Sequence, residues 1–481
     1  MPQKNELPAL AVSLVLTAAL LGGGGWWLKN NVFGPDAQLP GGNSPGTVNT
    51  GQNGDNRGDS SSAGNVAGAD GTSGRSMLPG SPSETKQKGL EALAAGDYAG
   101  AQVEFTAALA ESRNDPESLI YLNNAKIGSA ASHVIALSVP AGATLNPALE
   151  MIRGVAQAQT DINEAGGISG VPLKVLIVDD QGDPDTAAAI ANELVNNKDV
   201  LGVIGHYSSD VSLAASKVYE AGQLAMMSPT STAVKISDAG DYIFRTAPSD
   251  RLATATLARY VRNTLKQSKA AVFYTSDSTY SNSVKSEFTT ELLTSGGQVV
   301  IDFDITAAGF SAGRAVQSAK EAGAEVIMLA LTTATADTAL QIISVNQGEL
   351  PMVGGDGLYN PKILDVGRAN AEGLTVAVPW HILSHEQAPF VKDSRQLWGG
   401  DVSWRTAMAY DAATTFANAI AQGGQTRQGI VDALSATGFS AEGATDTVRF
   451  LPNGDRNQPS QLVQIVPGPR SGSGYDYAPV K

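Results

Sequence analysis

The sequence predicts an α/β protein of two lobes, each a mostly parallel sheet covered by helices, preceded by an α-helical hairpin and an N-terminal transmembrane or signal segment. Three observations predict it. From His133 onward, short apolar runs alternate with helical segments. The apolar runs show no period-2 alternation, which is the pattern of strands buried on both faces by helices. The alternation continues for about 340 residues, more than one such sheet takes, so two lobes are expected.

The elements follow in order. Residues Pro8 to Leu28 are almost all apolar or Gly, about the length that crosses ~30 Å of hydrocarbon, with Trp26, Trp27 and Lys29 at the far end. Residues 1–30 are therefore expected to be a membrane anchor, or a cleaved signal segment, since Lys4 precedes the apolar run. Either way the rest of the chain is expected outside the cytoplasm. Residues 31–83 are dominated by Gly, Ser, Asn, Asp and Pro, which cannot bury enough apolar area to offset chain entropy. They read as a flexible linker with an r.m.s. span of roughly 40 Å. Residues 84–128 have helical periodicity. Gly89, Gly96, Asp97, Tyr98, Ala101, Phe105, Ala108 and Pro116 fall nearly where a tetratricopeptide repeat places its packing residues, and the segment resembles one repeat plus the first helix of another. That resemblance implies a protein-docking element. The other reading is a helical hairpin that caps or spaces the next domain.

Within 132–481, strands are expected at 133–139, 173–179, 201–205, 224–228, 270–275, 298–303, 325–330 and 351–354. Helices are expected between them, including 147–165, 185–196, 211–221, 251–266, 281–295 and 313–322. Composition excludes several functions. The net charge of −15 opposes nucleic-acid partners, which need clustered Lys and Arg. With no cysteine there is no disulfide, thiol nucleophile or thiolate metal site.

Specific stretches now carry a family likeness. DINEAGGISGVPLKVLIVDDQGDPDTAAAIANELV (161–195) and VIGHYSSDVSLAASKVYEAGQLAMMSPTST (203–232) resemble the first lobe of branched-chain (Leu/Ile/Val) amino-acid-binding proteins. So, later, do STYSNSV, VGGDGLYNP, AEGLTVAVPW and TAMAYDAATTFANAI, in the same order. The resemblance implies the type I periplasmic binding fold: two Rossmann-like lobes with three hinge crossovers, lobe one about 133–250 and 380–450, lobe two about 251–379 and 451–470. It implies an amino-acid-like ligand and the membrane subunits of an ABC-type importer as partners. A helical segment before this fold also resembles the activators of cell-wall synthases, so a regulatory protein or ligand sensor is the rival expectation.

Ligands of open α/β sheets bind beyond the carboxyl ends of the strands. The strand ending at Gly205 runs into Tyr207, Ser208, Ser209 and Asp210, where a helix begins and its N–H groups attract an anion. The resemblance implies that Ser209 contacts a ligand carboxylate, that the Thr230, Ser231, Thr232 loop holds both ends of an amino acid, that Asp356 pairs with its ammonium and that Tyr280 lies at the cleft mouth. Asp210 is a complication, because its charge repels a carboxylate unless it is turned away or bound to a cation. The loop 140–147 lacks the family's aromatic lid residue, and Thr332 and Thr333 stand where it often has tyrosine. No catalytic, metal or cofactor site is expected. His381 and His385 lack further ligands and a helix. Asp179, Asp180, Asp183 and Asp185 lack the closing glutamate of a calcium loop.

Overall fold

In a computed structural model of the chain, residues 74–480 are described. The expected anchor and most of the expected linker lie outside them. Among the described residues no helix is long and apolar enough to cross a membrane.

Three helices come first: α1 (Glu84–Ala94), α2 (Tyr98–Glu111) and α3 (Pro116–Ile127). Each starts on a side-chain cap, Ser83, Asp97 and Asp115, whose oxygens accept backbone N–H groups of the first turn. Leu90, Leu93, Ala101 and Phe105 are buried between α1 and α2. In α3 every residue from Pro116 to Ala125 is buried. Glu117, fully buried, pairs with Lys86 at 2.7 Å and accepts the Met77 N–H at 2.6 Å. This bundle is therefore no free-standing repeat. It is seated on the first lobe.

That lobe is a five-stranded parallel sheet, in the order β2 (Leu173–Asp179), β1 (His133–Val139), β3 (Val200–Ile204), β4 (Ala225–Ser228), β5 (Ile243–Arg245). Helices α4 (Leu145–Glu164), α5 (Pro184–Asn196) and α6 (Ser209–Ala221) follow β1, β2 and β3. Strand β2 is an edge, and its unpaired backbone is a liability. Asn124 of α3 covers part of it. Its amide donates to Val175 O at 2.8 Å and accepts from Val175 N at 3.2 Å, as a neighbouring strand would. Gln159 of α4 steadies the Asn124 oxygen at 2.9 Å.

The second lobe contains α7 (Asp250–Arg259), β6 (Lys269–Tyr274), α8 (Thr279–Thr294), β7 (Gln298–Asp304), α9 (Ala312–Glu321), β8 (Val326–Ala330), α10 (Ala336–Asn346), β9 (Met352–Gly354), a short α11 (Arg368–Ala371) and β10 (Thr375–Val378). The chain then returns to the first lobe with α12 (Pro389–Trp398), α13 (Trp404–Gly423), α14 (Arg427–Leu434) and the small hairpin β11–β12 (Ala441–Glu442, Thr447–Val448). Gly154 of α4 admits the α13 backbone so closely that a Cβ there would overlap the Thr406 carbonyl. A third passage brings β13 (Gln461–Pro467) and β14 (Tyr475–Pro479) to the second lobe. Its seven-stranded sheet runs β14-β13-β10-β9-β8-β6-β7, with only β13 reversed, antiparallel to both its neighbours. The fold is thus the two-lobed α/β type with three crossings, and the eight expected strands are present to within a residue at their ends.

An Asn124→Ala variant leaves the Val175 N–H and C=O buried without their side-chain partner. We expect it to cost about 1–3 kcal/mol of stability, read as a lower urea midpoint. An unchanged midpoint would show that α3 does not protect the sheet edge.

Candidate functional site

The carboxyl ends of both parallel sheets face one cavity of about 430 Å³. The first lobe lines it with Ala143, Thr144, Gly182, Tyr207, Ser208, Ser209, Asp210 and Thr230. The second contributes Thr275, Asp277, Ser278, Tyr280, Thr306, the Thr332–Thr335 turn, Asp356 and Gly357. The lobes touch across its rim. Tyr207 donates its hydroxyl to Thr333 Oγ1 at 2.9 Å, and Val234 N–H donates to Ser283 Oγ at 3.0 Å.

The β3–α6 loop is built around one carbonyl. His206 O accepts hydroxyls from Ser212 at 3.2 Å, Ser228 at 2.9 Å, Thr230 at 3.3 Å and Ser231 at 3.2 Å. The His206 ring is fully buried. Its Nδ1 lies 2.6 Å from Asp180 Oδ2, and its Nε2 lies 3.2 Å from the Tyr219 hydroxyl. Asp180 also accepts from Ser138 Oγ at 3.0 Å. The ring, Asp180, Tyr219 and Ser138 lie outside the cavity wall, and they fix the next residues, Tyr207 and Ser208, which line it.

Of the residues singled out in the sequence, Tyr207, Ser208, Ser209, Thr230, Tyr280 and Asp356 share this cavity, whereas Ser231 and Thr232 stand behind its wall. Ser231 is occupied by Ser212 Oγ at 2.7 Å and by the His206 carbonyl. Thr232 offers its carbonyl to Asp250 N–H at 2.8 Å, anchoring the first passage between lobes. The cap of α6 is Ser208, which accepts from Val211 N–H; the Ser209 hydroxyl accepts Ala233 N–H at 3.3 Å. Asp210 does not confront a ligand unpartnered. Its carboxylate reaches across the gap and accepts Thr279 N–H, at the start of α8, at 3.1 and 3.2 Å. The positive end of that helix offsets its charge.

At the floor, Tyr280 donates its hydroxyl to Asp356 Oδ1 at 2.9 Å and accepts Gly357 N–H at 3.1 Å. The ring needs Gly355 beneath it, where a Cβ would run into its hydroxyl. Burial raises the Tyr280 phenol well above its usual range, so it remains a donor. Burial also raises the Asp356 carboxyl, opposed by the nearby Arg405 guanidinium. Arg405, on α13 of the other lobe, donates to Tyr359 O at 3.2 Å and Asp356 O at 3.5 Å.

Two of these groups went unread in the sequence. Arg405 looked like one charge in a helix, and only its burial exposes its cross-lobe role. Asp250 looked like an acid in the first turn of a helix, which it is. It is also fully buried, and neither carboxylate oxygen makes a hydrogen bond of good geometry, although the Ser283 and Thr232 hydroxyls stand beside it. Burial pushes it up to about 7; Asp356 adds to the rise, while Ser283, Thr232 and Arg245 oppose it.

The histidines and aspartates considered as metal ligands have other partners. His381 Nδ1 accepts Leu383 N–H at 3.4 Å, and burial lowers its imidazole to about 4. His385 stacks on Trp380 and lies 3.1 Å from Gln461 Nε2. Asp179 accepts Gln181 N–H, Asp180 holds His206, and Asp183 caps α5.

A profile described as periplasmic binding protein matches residues 135–472. The chain belongs to that family. The match begins after α3, so the helical bundle lies outside it. An "Amino acid binding protein" of Pseudomonas aeruginosa is 32% identical over 176 residues, covering 36% of this chain and 47% of that one. The leucine-, isoleucine-, valine-, threonine- and alanine-binding protein of the same organism is 26% identical over 63% of this chain and 81% of its own length. The match thus spans about half of the first relative and four-fifths of the second. Among solved structures, an ABC transporter substrate-binding protein from Desulfitobacterium hafniense in complex with Leu is 25% identical, with TM-score 0.61, covering 72% of this chain and 100% of that one. A leucine-binding protein from Thermotoga maritima shares the fold at 21% identity and TM-score 0.62, over 72% and 98%. The family is one of binding proteins, not enzymes.

Two outcomes follow from this geometry. His206→Ala leaves the Asp180 carboxylate buried without its ring partner, and we expect a loss of about 3 kcal/mol or more, measured by urea unfolding; an unchanged midpoint would show that the network is not structural. For Asp250 burial raises the native pKa from an ordinary aspartate's 3.8 to about 7. Between those values the native state holds a proton that the unfolded chain has lost, so this group's contribution to stability falls as pH rises through the window. Asp250→Asn should flatten the fall in melting temperature between pH 4 and pH 7 and raise it at pH 8. An unaltered profile would contradict that assignment.

Proposed function

We propose that the protein is an extracytoplasmic solute-binding protein that captures an amino acid or a related small zwitterion between its lobes and delivers it to the membrane subunits of an ABC-type importer. The observation that carries this reading is the placement of two unlike ends around one cavity. On one side the first N–H groups of α6, at Ser209 and Asp210, lack intrahelical acceptors, as in any helix, and draw a carboxylate. On the other, Asp356 presents a buried carboxylate suited to an ammonium group. Thr230 and Tyr280 flank the two ends. Because each lobe carries one end, a dipolar ligand favours the closed arrangement by contacts that the open one lacks. The printed names of the relatives, which bind amino acids or leucine, support the ligand class. The apolar run 8–28 supports export from the cytoplasm.

The test is thermal unfolding of the full-length chain against each of the common amino acids. A ligand at 100 times its dissociation constant stabilises by about 2.7 kcal/mol. At least one amino acid should raise the midpoint, and Asp356→Ala should abolish that rise. A flat response to every amino acid, or a shift that survives Asp356→Ala, would overturn the reading.

A further inference from the structure

The walls of the cavity say more about its guest than the two ends do. Three carboxylates line it, Asp210, Asp277 and Asp356, and no Lys, Arg or His is among the lining residues. Nor does Val, Leu, Ile, Met, Phe or Trp line it; apart from two tyrosines the wall is hydroxyls, small residues and carboxylates. A pocket that selects a branched aliphatic side chain needs apolar surface to receive it. Here the apolar surface comes only from threonine methyls, alanines and two tyrosine rings, with hydroxyls and carboxylates set among them.

A second, independent observation concerns buried charge. Asp356 is 8% exposed and Asp250 is 1% exposed. Among the described residues neither forms an ion pair: Arg245 is committed to Asp455 at 2.7 Å, and Arg405 reaches the Asp356 carbonyl instead of its carboxylate. Buried carboxylates are found paired or bound to cations, because an isolated one is costly to keep. Of the two, Asp356 lines the cavity, with the Tyr280 hydroxyl on its Oδ1.

The third is Asp277, in the second-lobe part of the lining, whose only side-chain hydrogen-bond partner among the described residues is the Thr275 hydroxyl. Asp277 is exposed and forms no ion pair among the described residues. Asp210, by contrast, is already held by the start of α8.

We propose that the ligand is a basic amino acid, with its α-ammonium at Asp356 and a side-chain cation of the lysine or arginine kind at Asp277. The proposal rests on the amino-acid reading and narrows it. The negative wall draws such a ligand into the cleft, and the absence of basic groups leaves nothing to repel it. The carboxylate of the ligand remains the task of the α6 N–H groups, the one positive feature of the first-lobe wall.

Isothermal titration of the full-length chain with L-lysine, L-arginine, L-glutamine and L-leucine tests it. Lysine or arginine should bind at least about tenfold more tightly than leucine, a difference of about 1.4 kcal/mol, and should weaken as salt rises. Asp277→Asn should weaken the basic amino acid by about tenfold while leaving glutamine within about twofold. Leucine binding as tightly as lysine and arginine, or an Asp277→Asn variant that binds them unchanged, would overturn the proposal. In that event binding lost on Asp356→Ala would still uphold the broader reading. No heat with any amino acid would overturn both.

Discussion

Everything about this molecule depends on how two lobes are joined without a rigid interface, and the join is made by Arg245. It ends β5, is fully buried, and ties the first passage to the third: its Nε meets Asp455 Oδ1 at 2.7 Å, its Nη1 donates to Ala233 O at 2.9 Å, and its Nη2 donates to Ser237 Oγ at 2.7 Å. One residue further along the third passage, Arg456 pairs with Asp411 of α13 and donates to Thr246 O at 3.3 Å. Buried pairs of this kind do little for net stability compared with apolar packing, yet removing one partner costs about 3–5 kcal/mol. They hold the two strands of chain side by side.

That constraint reaches the site directly. Four residues beyond Thr246 lies Asp250, whose N–H is held by Thr232 O. The hinge therefore delivers a carboxyl to the back of the cavity floor, close enough to Asp356 to raise its affinity for a proton. The other wall is set with the same economy. One carbonyl, His206 O, gathers four hydroxyls and so fixes the loops after β3 and β4 relative to each other. Ser231 and Thr232 serve this framework and the hinge, which explains why they sit behind the wall although they belong to the same Ser/Thr-rich turn as Thr230.

Much of the fold was legible because its signals are local. Unbroken apolar runs separated by capped helices mark parallel strands, and the boundaries of β1 and β2 were readable to the residue. Strands β5, β10, β13 and β14 were not. The first two are three and four residues long, and the last two mix buried with partly exposed positions at the sheet's antiparallel edge. At the site, the loop after β3 pointed to Tyr207 and Ser208, whereas Thr230 and Asp356 were singled out by the family resemblance. Asp210 could not be placed, because its partner, Thr279 N–H, is 69 residues away in the other lobe. Asp250 and Arg405 were hidden for the same reason: the sequence shows a charged residue in a helix, and only the tertiary fold shows that it is buried. From sequence alone the helical bundle reads equally as a docking element or a cap. Asn124, inserted against β2, and the burial of nearly all of α3 give it a structural task on the first lobe.

The closed arrangement carries an internal tension. Direct polar contacts between the lobes around the cavity include Tyr207 with Thr333, Asp210 with Thr279, the Val234 N–H with Ser283, and Arg405 with the Tyr359 and Asp356 carbonyls. Hydrogen bonds of this sort are worth roughly 1 kcal/mol each in net terms, since water satisfies the same groups when the lobes part. Against them stands the cost of desolvating Asp356 together with Asp250. A ligand shifts an open–closed equilibrium only by its differential affinity for the two states. In the function proposed above, the ammonium of the ligand offsets the cost of burying the Asp356 carboxylate, so the carboxyl that opposes closure without a guest is the one that makes closure respond to it.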